Sequence, residues 1–464
     1  MDRRLLLKLL ASGTALTAAP ASVWAQMKGE TSPRKYEWGF PEYPPTPAGS
    51  GNATPFGEGP LNGIETESGH ELYRFPRDHR YHYGPIYRGP EYCEWYYFSA
   101  FVYDKATEEP YTLFWMTLFS GWDEGLQRPV KNVFFALHNL RTGEFQPAVT
   151  LYPGEFVADG SPSDAPKEDF WFRYRIGTPE HGEMEESYRA ADETWRFKAN
   201  VVNAAPERNS VPFSMDITGK VYAPGYIFNT PWGLENEGYD VSRTGRHNPE
   251  TVYGISYYTI APKMMISGPV MVNGREMEVE GLAWWEHQWG NLRTPDHLEG
   301  HYIWQNAYLD NGDMFRLRFW RKPDLSIAEE ITNYAYIHAD GRMEYALGGS
   351  VRWTTIKSWP SNVVENVDIP LYGKLETPQG TFYVAPEYPE QQAIGFADYT
   401  ALWEGAMYLH EGSLDGPIVG RAYHENMIVP WYYIPRGFDK PMREDLPRKL
   451  DGGMPPAPPF NFFK

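Results

Sequence analysis

The sequence predicts an all-β protein built from antiparallel sandwiches or barrels. Three observations carry this. Short apolar or alternating runs recur along the chain, set apart by turn residues. The 43 Gly, 41 Pro and 16% aromatic residues favour turns and strands over helices. Beyond the first residues, no long run rich in Ala, Leu, Glu and Lys is present. At 464 residues the chain exceeds one ordinary core and suggests two domains.

Residues 1–25 read as a twin-arginine-type signal peptide. Asp2-Arg3-Arg4-Leu5-Leu6-Leu7-Lys8 opens it, an apolar stretch runs from Leu9 to Ala21, and Ser22-Val23-Trp24-Ala25 supplies the cleavage site. The stretch is too short and too rich in small residues for a stable membrane span. This predicts a periplasmic or secreted protein with no integral span after cleavage. Residues 26–79 form a tether, marked by Pro44-Pro45-Thr46-Pro47-Ala48-Gly49-Ser50-Gly51. Residues 431–464 form a tail rich in proline and aromatics. The net charge of −19 argues against a nucleic-acid partner, which needs a basic patch. The lone Cys93 excludes an internal disulfide and reads as a core residue.

Strands are expected at Trp95–Tyr103, Tyr111–Phe119, Val133–His138, Trp195–Val202, Phe213–Ile217 and Met277–Trp289. Further strands are expected at Tyr302–Asp310, Met314–Trp320, Ile331–His338, Thr381–Val384, Ala401–His410 and Ile418–Tyr423. Alternation gives Val279, Gly281, Ala283, Trp285, His287 and Trp289 one face of their strand. That face is the more apolar and turns inward, so Glu286 points away. Asn311-Gly312 predicts a two-residue hairpin turn, which sets Asp310 opposite Asp313 and Tyr308 opposite Phe315. Tyr302, Trp304, Asn306, Tyr308 and Asp310 then share an aromatic inner face. Gln305, Arg316 and Arg318 fall on the expected solvent side.

An aromatic cavity with one neutral carboxylic acid suits alkene hydration. The acid protonates the double bond, and ring faces stabilise the cation by roughly 0.5–2 kcal/mol each. Burial and a neighbouring carboxylate both keep such an acid protonated. Asp310 beside Asp313 fits this role, and His287 fits that of positioning or deprotonating water. The bland readings stand beside it. Asp before Asn-Gly is common in turns, a strand His is often a bonded core residue, and Trp285, Trp289, Trp304 and Tyr308 are by default core aromatics.

At these residues a family resemblance emerges. Trp284-Trp285-Glu286-His287-Gln288-Trp289-Gly290 resembles the Trp–acidic–His–x–Trp–Gly motif of the carotenoid 1,2-hydratase (hydroxyneurosporene synthase) family. Glu94-Trp95-Tyr96-Tyr97-Phe98 resembles its N-terminal aromatic motif. Leu402-Trp403-Glu404-Gly405-Ala406 and Gly420-Arg421-Ala422-Tyr423 resemble its C-terminal signature. The likeness spans roughly residues 80 to 425. It implies two tandem lipocalin-like domains, residues 80–298 and 299–430. It also implies a hydro-lyase that uses no cofactor or metal and acts on an apolar isoprenoid, with membrane proximity for substrate uptake. Asp310, His287, Tyr308 and Trp289 are the implied catalytic set, and Trp285, Trp304, Phe315 and Trp95 the expected substrate contacts.

Competing readings are a non-enzymatic lipid or terpenoid carrier, an isoprenoid cyclase of the same fold, and a secreted hydrolase. For the last, Ser256 in Gly254-Ile255-Ser256-Tyr257 lacks the second Gly of a nucleophile elbow. His287, His297, Glu299 and His301 could together suit zinc, but their segment reads as a loop entering a strand.

Overall fold

The computed structural model describes residue 79, residues 92–123, 128–149, 155–160, 169–175, 182–201, 211–222, 224–228, 234–235, 256–291, 301–321, 327, 332–347, 350–361, 368–394 and 401–428. The expected signal peptide, the tail and all of the tether but residue 79 lie outside them, as do His297 and Glu299. Among the described residues there is no α-helix. The strands form two curled antiparallel sheets, half-barrels that establish the tandem lipocalin-like all-β fold.

The first sheet contains β1 (Tyr92–Asp104), β2 (Pro110–Asp123), β3 (Arg128–Asn139), β4 (Phe145–Val149), β5 (Glu155–Gly160), β6 (Phe170–Arg175), β7 (Gly182–Arg189), β8 (Thr194–Val201), β9 (Phe213–Val221), β10 (Ile227–Phe228), β11 (Leu234–Glu235), β12 (Ser256–Val272) and β13 (Arg275–Asn291). Its order is β4-β3-β2-β1-β13-β12-β9-β8-β7-β6-β5, with β10 and β11 on β12. The second contains β14 (His301–Leu309), β15 (Met314–Trp320), β16 (Asn333–Ile337), β17 (Met343–Leu347), β18 (Arg352–Pro360), β19 (Asp368–Thr377), β20 (Gly380–Pro386), β21 (Gln392–Ile394), β22 (Ala401–Glu411) and β23 (Ile418–Ile428). Its order is β17-β16-β15-β14-β23-β22-β20-β19-β18, with β21 on β22. Both sheets fall within one compact unit of the chain.

Each sheet wraps its own core. The first encloses Phe98, Trp115, Trp195, Phe197, Met264 and Trp285, among others. The second encloses Ile303, Phe315, Leu317, Phe319, Trp353 and Trp403. Burial of such side chains is the main stabilising term, at roughly 1.5–3 kcal/mol each. The inward face expected on β13 is observed: Val279, Ala283 and Trp285 belong to the first core, and His287 and Trp289 share their side of the strand.

The hairpin between β14 and β15 differs from expectation. Gly312 adopts φ +87°, and its N–H donates to Leu309 O, while Leu309 N–H donates to Asp313 O. The turn thus contains three residues, Asp310 to Gly312, with glycine in the left-handed position. The pairing shifts by one, so Tyr308 stands opposite Met314 and Ala307 opposite Phe315. Phe315, Leu317 and Phe319 join Ile303 and Ala307 in the second core. Arg316 and Arg318 share a face with Trp304 and Tyr308, and that face is buried rather than solvated.

What buries it is the first sheet. The outer faces of β1, β12 and β13 pack on the outer faces of β14, β15 and β23. Asn306 Nδ2 donates to Ser99 Oγ at 2.9 Å, and Tyr308 O–H donates to Pro262 O at 2.9 Å. Tyr97 meets Trp304 edge-on at 5.3 Å, and Phe114 stacks near Tyr423 at 6.1 Å. The strands along the seam therefore have no solvent face, which explains why Trp284 and Leu282 sit opposite Trp285 on β13.

Candidate active site between the sheets

Three glutamates, Glu286, Glu404 and Glu425, meet at this seam. Glu286 leaves β13 on its outer side, and Tyr97 of β1 is its register partner. Trp284 Nε1 donates to Glu286 Oε1 at 2.7 Å, and the Tyr258 hydroxyl donates to Oε2. From the second sheet come Glu404 on β22 and Glu425 on β23, directly paired across the two strands. The Tyr302 hydroxyl donates to Glu425 Oε1. Arg316 lies 4.8 Å over the Tyr258 ring and donates to Asn333 Oδ1.

Electrostatics here favour the neutral forms of Glu404 and Glu425. Burial, with Glu286 adding to it, holds the Glu404 carboxyl well above the usual range. The same causes push Glu425 up to about 8. Burial and then Glu404 raise the phenols of Tyr97 and Tyr423 well above theirs. Neither carboxyl oxygen of Glu404 meets a hydrogen-bond partner of good geometry among the described residues, although the Tyr423 phenol stands close enough to act on it. Tyr97 Oη and Trp304 Nε1 are likewise unsatisfied and buried. Unmatched buried polar atoms are uncommon in folded proteins, and at a cleft they mark where a bound molecule or water completes the bonding. At one edge, Trp95, Tyr302 and Glu425 are only partly buried, so the seam reaches the surface there.

The residues singled out from sequence occupy four separate places. His287, Trp289 and Trp285 face the first core. His287 Nε2 lies 2.8 Å from Glu94 Oε1, with Tyr96 stacked on the imidazole at 4.2 Å and Trp289 at 4.5 Å. Tyr308, Trp304 and Trp95 face the seam, where Trp95 meets Tyr258 edge-on at 6.4 Å. Phe315 lies in the second core beside Tyr334 and Phe382. Asp310 is exposed in the hairpin turn, its N–H donating to Val419 O. The burial expected for Asp310 is not found, because the three-residue turn projects it past the end of the seam. The carboxylate expected to crowd it, Asp313, instead accepts from the Tyr336 hydroxyl at 2.5 Å and Ala339 N–H at 2.8 Å.

Sequence reasoning passed over Glu404 and Glu425. Alternation was read on β13, where it turned Glu286 away from the interior, and was not applied to β22 or β23. The signal against that assumption was present, since Leu282 and Trp284 share the face of Glu286.

Residues 66–427 match the AttH-like family. The chain belongs to that family. Two solved structures share the fold. An AttH-type protein from Nitrosomonas europaea is 19% identical with a TM-score of 0.57, covering 76% of this chain and 96% of its own. Kievitone hydratase from Nectria haematococca is 16% identical with a TM-score of 0.51, covering 75% of this chain and 94% of its own. No curated protein matches.

Proposed function

We propose that this AttH-like protein is a hydro-lyase that adds water to a carbon–carbon double bond of an apolar, isoprenoid-type substrate held between the sheets. The observation that carries the reading is Glu404, a carboxyl buried beside Tyr97 and Tyr423, where burial raises its pKa and favours the protonated form. Glu404 donates its proton to one alkene carbon, leaving a cation on the more substituted carbon. Aromatic faces stabilise that cation. Water bonds to it, and the proton that water sheds returns to the Glu404 carboxylate, so no net acid is consumed. A structural relative that is a kievitone hydratase supports hydration as the reaction class. The motif resemblance supports carotenoids and related isoprenoids as substrates, and the Arg-Arg leader supports action outside the cytoplasm.

The test is incubation of purified protein with acyclic carotenoids, squalene and prenylated phenols, read as a mass gain of one water. Glu404→Gln is expected to lower the rate by about a hundredfold or more, the usual scale for a general acid. Retained turnover in that variant removes Glu404 from the mechanism.

A second reading places the chemistry inside the first sheet, on the buried His287–Glu94 pair and its flanking Trp289. It predicts that His287→Gln abolishes turnover while Glu404→Gln preserves it. Ligand binding without turnover in the unsubstituted protein indicates a carrier.

A further inference from the structure

The interior of the second sheet holds a cation that meets no counter-charge among the described residues. Phe315, Leu317 and Phe319 point inward from β15, and the same alternation carries on to Arg321, which bridges to Ile327. Arg321 is 1% exposed, and neither Nη1 nor Nη2 has a hydrogen-bond partner among the described residues. Among the described residues no carboxylate pairs with it. Buried charges are ordinarily paired or hydrogen-bonded, because an isolated one gives up its hydration for nothing. Burial alone brings the guanidinium down to about 9.

Three other polar side chains in this interior are also incompletely bonded. His424 Nδ1 lies 3.0 Å from Gln305 Oε1. That oxygen is only an acceptor, so Nδ1 carries the proton and Nε2 presents a lone pair, which has no partner. Gln305 Nε2 and both amide atoms of Asn426 lack partners too. All three residues are fully buried. Gln305 stands opposite His424, and Ile303 stands opposite both Asn426 and Phe319. Arg321, two residues past Phe319, therefore continues toward the same end of the sheet. The charge of Arg321 is felt at His424, whose imidazole it helps to push down to about 3 after burial. The rings of Trp353 and Trp403 flank His424, each at 5.7 Å.

Arg, Gln and Asn side chains offer N–H donors, and His424 offers one acceptor. This is the complement of an oxyanion that keeps one hydroxyl, or of a carboxylate with a bridging water. We propose that the second sheet binds a small oxyanion, phosphate or carboxylate, on Arg321, with Gln305, His424 and Asn426 completing the site. It lies on the opposite face of β14 and β23 from the acid cluster and is independent of the hydration proposal.

The experiment is a melting-temperature titration of the full chain with sodium phosphate and with sodium acetate, at ionic strength fixed by sodium chloride. A ligand bound only by the folded state raises the melting temperature with concentration. A rise with either salt above the chloride control, absent in Arg321→Met, is expected. A rise with phosphate alone assigns phosphate, and a rise with acetate alone assigns a carboxylate. No rise with either, or an equal rise in Arg321→Met, overturns the site. Should Arg321→Met fail to fold, the His424 imidazole resonances of the unsubstituted chain carry the test. Phosphate or acetate moves them and chloride does not if the site exists, and resonances that ignore all three overturn it.

Discussion

At the scale of single residues, two carboxyl candidates are separable, Asp310 in the exposed turn and Glu404 in the seam. Asp310→Asn is expected to keep activity within about twofold, as for an exposed surface substitution, whereas Glu404→Gln is not. Side-by-side rates for the two variants decide between them. Glu425 gives a pH signature. Folded, it holds its proton to about 8, against 4.5 when unfolded. Between those values the native state binds the extra proton, so this group makes stability fall as pH rises through the window. His424 acts in the opposite sense. Its folded value of about 3 lies below the ordinary 6.5, so its contribution is lost as pH falls through that interval. Urea titrations across the range should show Glu425→Gln losing stability less steeply than the parent as pH climbs. An unchanged slope would remove Glu425 from the account.

At the scale of elements, most of the strands were legible because their alternation is regular and their ends carry turn residues. The long β12 was not, because Pro262, Gly268 and Pro269 interrupt it. The structure absorbs Pro262 at a register shift between Ala261 and Met264 and runs the strand through. β18 escaped notice for another reason, since most of its residues are exposed or half-buried and no apolar face marks it. The hairpin error had larger consequences. Asn-Gly suggests a two-residue turn, yet one extra residue enters, and the whole partner strand exchanges its faces. That slip misplaced Asp310, Phe315, Arg316 and Arg318 together. Gly281 tests the tightness of the β1–β13 seam. A Cβ there would fall 2.1 Å from Phe101 O and 2.6 Å from Val102 Cα, both backbone atoms. Gly281→Ala is expected to destabilise by about 1–3 kcal/mol, the range for overpacking, read from the urea midpoint. A neutral result would show that the two strands can part there.

At the scale of the whole molecule, the two sheets are joined by a face that is both polar and aromatic. Tyr308 links them through one hydrogen bond to Pro262 O, with Phe101 and Trp284 around its ring. Tyr308→Phe is expected to cost about 1 kcal/mol, the net worth of such a bond, while sparing turnover. Chemical denaturation and product analysis on one preparation measure both. Lost turnover in a stably folded Tyr308→Phe would instead give that phenol a chemical role. The fold class was legible because each core obeys the ordinary rule of apolar side inward. The candidate site was not, because it depends on which outer surfaces meet, and short-range periodicity carries no information about that. β13 stands between the two spaces, sending Trp285, His287 and Trp289 one way and Trp284 and Glu286 the other. Its odd and even positions answer to different packed surroundings. Dropping one residue just ahead of Trp284 would deliver an imidazole to the acids and a carboxylate to the packed rings, so a change in length here disturbs both surroundings at once.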